Sequence, residues 1–510
     1  MERSDIMATG SINISSNISR NTLLSAYAPK PCKNLTTIAC NSYALIQWED
    51  PDDYTSSDNV EITWKYTRIV RKTGSFPINE NDGTIVTTSS IRNQYKTNFF
   101  RDQNLTNGET YYYAAFPCAS NGTFNREQVR SICTPLAYKI MSVIIDFNNS
   151  NPATCGSYAD DAVDMESGKT ESAINMWQKF FGYKPCLFKN GSVFNYLNPN
   201  DYTKFENGSS ANISSTSTGD VMVEFPRRGI RFTKNGNKVK ISMTDNPNDP
   251  EFTYYAHKRG NVNKNNFYLG AYLAYDSDEA LYSISDYRVD NNSSRSGTLS
   301  DKYFKARYRG DNYGLMTFYQ FTYIQAMYML QFKGNMDFVS AVGREQSSSD
   351  YYMTGILNTK GLIYGANYYY TDENRIKLFG LESICGRRVT LLDGVYIDKS
   401  FHLKTTTDTT IINTDAYNDI GDFSGGYTGG NAYGLYPMNF PAKTESGFLS
   451  TYEYSGGSSS TYFCTQMVIS KKSIPHVRDT MFYIDFDSQF TRTTIPSSGY
   501  SGLSFRLMYL

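Results

Sequence analysis

A chain of 510 residues is longer than one compact core normally carries, so two to four domains are expected. Lys+Arg 49 against Asp+Glu 50 leaves no net positive field to gather phosphates, which excludes a polybasic nucleic-acid binder. Tyr 43 and Phe 30 against Trp 3, with Asn, Ser, Thr and Gly abundant, favour strands, turns and polar surfaces over a helical bundle.

No run of eighteen apolar residues occurs, and Met1-Glu2-Arg3-Ser4-Asp5 leads into a polar segment. Neither a membrane span nor a secretory signal is therefore expected. The cysteines (Cys32, Cys40, Cys118, Cys133, Cys155, Cys186, Cys385 and Cys464) lack paired short spacings, so free buried thiols are expected and no metal or other cofactor. His257, His402 and His476 stand alone, which argues against a histidine metal centre.

Residues 1–27 contain few large apolar side chains and cannot form a core unaided, so they are expected to be an attachment arm or linker. From 28 to 133 short strands alternate with turns. Residues 44–49 alternate and stop at Asp50-Pro51, and residues 60–66 alternate again, which places Trp48 and Trp64 facing inward in a two-layer core. Leu105-Thr106-Asn107-Gly108-Glu109-Thr110 then turns into the aromatic strand 111–116, where Tyr112 either packs or contacts a partner. A Trp strand ending in Asp-Pro and a late Leu-x-x-Gly-x-x-Tyr corner resemble a fibronectin type III module. Such modules serve as spacers, binders and fibre segments alike.

Residues 134–510 follow a different pattern. Residues 140–147 read as a strand, and 169–182 as a helix with Ile174, Trp177, Phe180 and Phe181 on one side and Gly182 closing it. A hairpin is expected over 185–197 with its turn at Lys189-Asn190-Gly191, then strands at 221–226, 230–232 and 238–243, with a turn at Asn235-Gly236, and an aromatic strand over 267–275. Residues 290–297 read as an exposed excursion. The segment 317–332 reads as a helix apolar on nearly every side, hence buried on most of them. Residues 421–460 are rich in Gly, Tyr, Ser and Thr and read as exposed loops, and 502–510 as a closing strand.

Several segments together resemble the carboxyl-terminal domains of bacteriophage tail and fibre proteins with the C-type-lectin or formylglycine-generating-enzyme-like fold. They are Gly219-Asp220-Val221-Met222-Val223-Glu224-Phe225-Pro226, Leu357-Asn358-Thr359-Lys360-Gly361, the core stretch from Gly380-Leu381-Glu382 to Leu391, Gly456-Gly457-Ser458-Ser459-Ser460-Thr461-Tyr462-Phe463-Cys464, and Gly502-Leu503-Ser504-Phe505-Arg506. In the family's core motif an Asn and a Trp stand where this chain has Arg387 and Leu391, so Leu391 is expected to fill the indole site. The oxidising enzyme of this fold uses closely placed thiols and copper, whereas Cys385 and Cys464 are isolated here.

The fold class expected is therefore multidomain and mainly β: a fibronectin type III-like β-sandwich at 28–133, then an α+β C-type-lectin-like head at 134–510. The resemblance implies a non-enzymatic tail or head fibre protein on the virion surface. Its arm would contact other virion proteins, and its head a host-surface glycan or protein. An oligomer is expected, commonly a trimer among fibres, with neither nucleic acid nor membrane insertion. The alternative is a structural or decoration protein whose loops contact other virion chains.

Tyr427, Tyr433, Tyr436, Tyr452, Tyr454 and Tyr462 are the candidate ligand residues, because a phenol stacks on a sugar face and hydrogen-bonds at its tip. Asp419, Asp422 and Asn431 are oxygen donors but match no calcium-loop spacing. Glu382, Asp393, Asp479, Asp485 and Asp487 are the acids available for glycan hydrolysis, yet nothing enforces the separation of about 5 to 10 Å between two carboxylates that it needs.

Overall fold

The computed structural model describes residues 27–422, apart from 147, 150, 152, 237, 278, 291–298, 336–337, 344–350, 366–374, 385–388, 398–401 and 411–415. Beyond 422 it describes 476–477, 484–485 and 503–510. The described structure is mainly β, built from sheets that are antiparallel except for one parallel pair. It divides into two compact units, Met1–Lys139 and Ile140–Leu510.

The smaller unit has two principal sheets. β1 (Lys33–Cys40), β2 (Tyr43–Glu49) and, after the short pair β3 (Tyr54–Thr55) and β4 (Glu61–Ile62), β5 (Trp64–Thr73), β6 (Thr84–Ser89), β7 (Phe100–Gln103), β8 (Tyr111–Ala119) and β9 (Val129–Cys133) follow in chain order. One sheet has the order β1-β2-β7 and the other β6-β5-β8-β9. In β2 the period of two places Ala44, Ile46 and Trp48 on one face, where they join Ile69, Tyr111, Tyr113 and Ala115 of the other sheet in one core. Burying those facing rows is what holds the layers together.

The two indoles have different settings. Trp48 belongs to the central core, whereas Trp64 packs under the Arg92 guanidinium, 5.2 Å from it. Asp50, just past the end of β2, satisfies the buried polar groups around them. Its carboxylate accepts from the Trp48 indole N–H (2.9 Å), the Thr67 hydroxyl (2.6 Å) and the Asn93 backbone N–H (2.7 Å). The Trp64 N–H donates to Thr67 in turn, at 2.9 Å. The corner before β8 closes in the same manner: Gly108 has φ +86, and the Tyr111 hydroxyl accepts from the Thr106 N–H at 3.0 Å.

The larger unit begins with β10 (Ile140–Asp146) and β11 (Gly156–Asp160). Helix α1 (Glu171–Phe181) follows, capped by the Thr170 hydroxyl on the Ala173 N–H, and it ends where Gly182 adopts φ 75. β12 (Lys184–Lys189), β13 (Ser192–Asn198), β14 (Asp201–Phe205), β15 (Asp220–Pro226), β16 (Gly229–Asn235) and β17 (Lys238–Thr244) come next. A four-stranded sheet has the order β11-β10-β17-β16. A seven-stranded one runs β14-β13-β12-β15, then Asn266–Gly270, Leu507–Tyr509 and Tyr313–Leu315.

Helix α2 (Leu299–Arg307) precedes α3 (Phe318–Gln331). Thr317 and Gln320 form a reciprocal capping box at the start of α3, and every one of its residues is buried. Its side chains share one core with Val143, Ile145, Val239 and Ile241 of the smaller sheet and Val221, Val223, Phe225 and Leu269 of the larger.

Two expected strands are shorter than their patterns suggest. The aromatic strand over 267–275 ends at Gly270, where a Cβ would lie 2.9 Å from the Ser283 hydroxyl. The closing strand is broken into Leu503–Ser504 and Leu507–Tyr509, because Arg506 turns its guanidinium into the interior instead of continuing an alternation. The arm at residues 1–26 and the 291–297 stretch of the excursion lie outside the described residues.

Candidate ligand-binding face

Tyr427, Tyr433, Tyr436, Tyr452, Tyr454 and Tyr462 all lie outside the described residues, as do Asn431, Asp479, Asp487, Cys385 and Cys464. Among the described residues, Glu382, Asp393 and Asp419 each have a bonding partner in the fold. Glu382 is buried and accepts from the backbone N–H groups of Gly355 (3.1 Å) and Leu357 (3.0 Å). The buried Asp393 accepts from the Gly394 N–H at 2.7 Å. Asp419 pairs with Lys404 at 2.9 Å, Asp422 ends the strand Asn418–Asp422, and Asp485 ends the two-residue strand Ile484–Asp485. No group of three metal-ligating side chains occurs among the described residues.

Cys32, Cys40, Cys118, Cys133, Cys155 and Cys186 are buried thiols. Burial pushes Cys32 up to about 12 and Cys133 up to about 11, which keeps both as unreactive thiols. His257 is wholly buried between Phe267 and Tyr323, and desolvation holds its imidazole down at about 3.

Three of the segments quoted for the head resemblance, 357–361, the described part of 380–391 and 503–506, meet in a buried polar junction, while 456–464 lies outside the described residues. Arg506 is fully buried and donates to the carbonyls of Gly270 (2.6 Å), Glu382 (2.6 Å) and Ser383 (3.0 Å). The strands Val389–Leu391 and Leu503–Ser504 pair in parallel, and the hydroxyls of Thr390 and Ser504 are 3.0 Å apart. Leu391 is buried in a cluster with Phe188, Met222 and Leu507. Lys377 donates to the Leu357 carbonyl at 3.1 Å and lies 3.5 Å above the Tyr202 ring, while Tyr202 donates to the Gly380 carbonyl at 3.1 Å. Burial drives the Lys377 ammonium below its ordinary range and the Glu382 carboxyl above its own. Among the described residues this junction is buried.

The seven-stranded sheet supplies a more accessible arrangement on the face turned away from α1 and α3. Directly opposed residues on neighbouring strands point to the same side. The register pairs Lys184 with Glu224, Glu224 with Tyr268, Tyr268 with Tyr509, and Tyr509 with Tyr313. The result is one row across five strands. Lys184, Tyr268 and Tyr509 are half-buried, and Glu224 keeps 9% of its surface. Phe188 floors the row, its ring 4.6 Å from Tyr268 and 4.7 Å from Tyr509.

Glu224 gathers the polar tips. Its carboxylate accepts from the Tyr196 hydroxyl at 2.7 Å, the Tyr268 hydroxyl at 3.2 Å and the Asn266 amide. Lys184 caps the Tyr196 ring at 4.5 Å and pairs with Glu206 at 3.0 Å. Burial, with the Glu224 charge beside them, raises the phenols of Tyr196 and Tyr268 above their ordinary range, so both remain hydroxyl donors. At the far end of the same face Asp220 is buried on Arg309 at 2.7 Å. Chemically the row can stack on apolar faces and exchange hydrogen bonds through a carboxylate, an amide and phenols.

A second depression is lined by Arg228, Tyr254, Tyr255, Tyr319 and Tyr323 among others. Three of its four phenols are bonded within the protein: Tyr254 donates to the Asn246 carbonyl (2.7 Å), Tyr323 to the Pro226 carbonyl (3.0 Å), and the hydroxyls of Tyr319 and Thr405 are 2.7 Å apart.

The row escaped the sequence reading because its members come from five distant stretches. One local signal pointed to it: Glu224 is a lone charge within the otherwise apolar strand Val221-Met222-Val223-Glu224-Phe225. No protein-family model matches this chain, and no curated protein does.

Proposed function

We propose that the chain is a non-enzymatic bacteriophage fibre or tail adhesion protein. In this reading residues 1–27 attach it to other virion proteins, the smaller unit is a fibronectin type III-like spacer, and the larger unit is a C-type-lectin-like head that binds the host bacterial surface. The strand orders β1-β2-β7 and β6-β5-β8-β9, with the Tyr111 corner, support the first assignment.

The observation that carries the head assignment is the placement of Arg506. The Gly502-Leu503-Ser504-Phe505-Arg506 segment is bonded through that side chain to Glu382 and Ser383 of the other core motif. Leu391, buried beside the terminal strand, fits the role of the missing indole. Binding is preferred to hydrolysis because Glu382 and Asp393 are spent on backbone N–H groups.

The test is adsorption of the purified full chain to host cells and its competition with phage infection. Saturable adsorption that blocks infection is the expected result. A chain that fails to adsorb, and is found by particle imaging to be covered by other virion proteins, would instead be a structural or decoration protein.

A further inference from the structure

We propose that the row Lys184, Glu224, Tyr268 and Tyr509, with Tyr196 and Asn266 beside it, is a subsite for a neutral hexose, a proposal that rests on the adhesion reading and names its ligand. Charge is the first argument. Lys184 faces Glu224 across β12 and β15 but is already paired with Glu206 at 3.0 Å, while Glu224 is covered by three donors, so neither charge stands unmatched. A phosphorylated, acidic or polycationic ligand finds no matching field there.

Hydrogen-bonding chemistry is the second. Glu224 has taken three donors, leaving about one of the four lone-pair sites of a carboxylate for an incoming hydroxyl. The second N–H of the Asn266 amide can donate to a neighbouring hydroxyl, and the phenol oxygens of Tyr196 and Tyr268, whose protons rest on Glu224, can accept from one. The half-buried rings of Tyr268 and Tyr509 supply the apolar face on which sugar C–H groups stack. A ligand with hydroxyls on one edge and C–H groups on its face satisfies both halves at once. The rigidity of a central sheet, with Phe188 beneath, means little has to be ordered on binding.

The experiment is saturation-transfer NMR on the full chain with the methyl glycosides of glucose, galactose, mannose and N-acetylglucosamine, run beside host-cell adsorption. At least one glycoside is expected to receive saturation, and Glu224→Gln and Tyr268→Ala are each expected to weaken it at least tenfold. Tyr268→Phe, which removes only the hydroxyl, is the milder second variant should either fold poorly. Absence of transfer from all four glycosides overturns the subsite even if the chain adsorbs to cells, in which case the adhesion reading stands on other residues. Transfer that persists unchanged in the variants also overturns it. So does a concentration-dependent dimer that Tyr268→Ala dissolves, because the row would then be a contact between copies. Glycoside binding lost in the variants without any adsorption to cells upholds the subsite and removes the adhesion reading.

Discussion

The smaller unit and the larger one satisfy their buried polar groups over very different lengths of chain. In the sandwich, Asp50 reaches the indole of Trp48 two positions away and the Thr67 hydroxyl seventeen away. In the larger unit, Arg506 reaches a carbonyl 236 positions away. Both solutions obey the same rule, that a buried donor or acceptor without a partner costs stability. The difference teaches that the links around Asp50 span at most 43 positions, whereas those that close the second core, through Arg506, Tyr202 and Thr390, span 114 to 236.

That contrast can be broken most severely at Arg506. Arg506→Met leaves the carbonyls of Gly270, Glu382 and Ser383 without its donors and is expected to destabilise the larger unit by about 4 kcal/mol. Peptide-resolved hydrogen exchange on the full chain should show that loss between 140 and 510 while residues 28–133 keep their protection. Asp50→Ala is the mirror experiment. Orphaning the Trp48 indole, the Thr67 hydroxyl and the Asn93 N–H is expected to cost about 3 kcal/mol, confined to the smaller unit.

Acid sharpens the comparison further, because all three histidines belong to the larger unit. His257 is held at about 3 when folded against an ordinary 6.5, so the unfolded chain binds the extra proton between those values. The stability that this contributes is complete above 6.5 and is lost as pH falls toward 3. Between pH 6.5 and 5 the loss is about 2 kcal/mol. Urea titrations at the two pH values check it, and His257→Gln is expected to flatten the dependence. The smallest effect is expected at Tyr112, whose ring meets Phe76 edge-on at 5.0 Å on the outer side of its sheet. Tyr112→Ala is expected to cost about 1 kcal/mol, read as a shift in the urea midpoint of the smaller unit.

Much of the local structure was legible in the sequence. Thr170 and Gly182 bracket α1, Thr317 opens α3, and Asn190-Gly191 turns the β12–β13 hairpin with both residues at positive φ. These signals are local because caps and turns are settled by a few neighbouring residues. Trp48 was placed correctly at the centre of a two-layer core, while Trp64 lies toward its margin, a distinction that alternation alone does not carry. Where the reading failed, a distant contact had intervened. Gly270 ends its strand against Ser283, and Arg506 interrupts the closing strand to reach Gly270. The Lys184–Glu224–Tyr268–Tyr509 row was illegible for the same reason. Strand order in the sheet decides which side chains become neighbours, and no local pattern states that Asn266–Gly270 will lie between β15 and Leu507–Tyr509.

The interior place of Leu507–Tyr509, with a partner on each flank, also sets an order of events. Until that short segment arrives, the strands Asn266–Gly270 and Tyr313–Leu315 have nothing between them, and the sheet exists as two incomplete pieces with open edges. Closing so long a loop carries an entropic cost before any contact rewards it. Refolding from urea should therefore be biphasic, with the sandwich regaining its protection first and the larger unit remaining sticky until its final strand slots home.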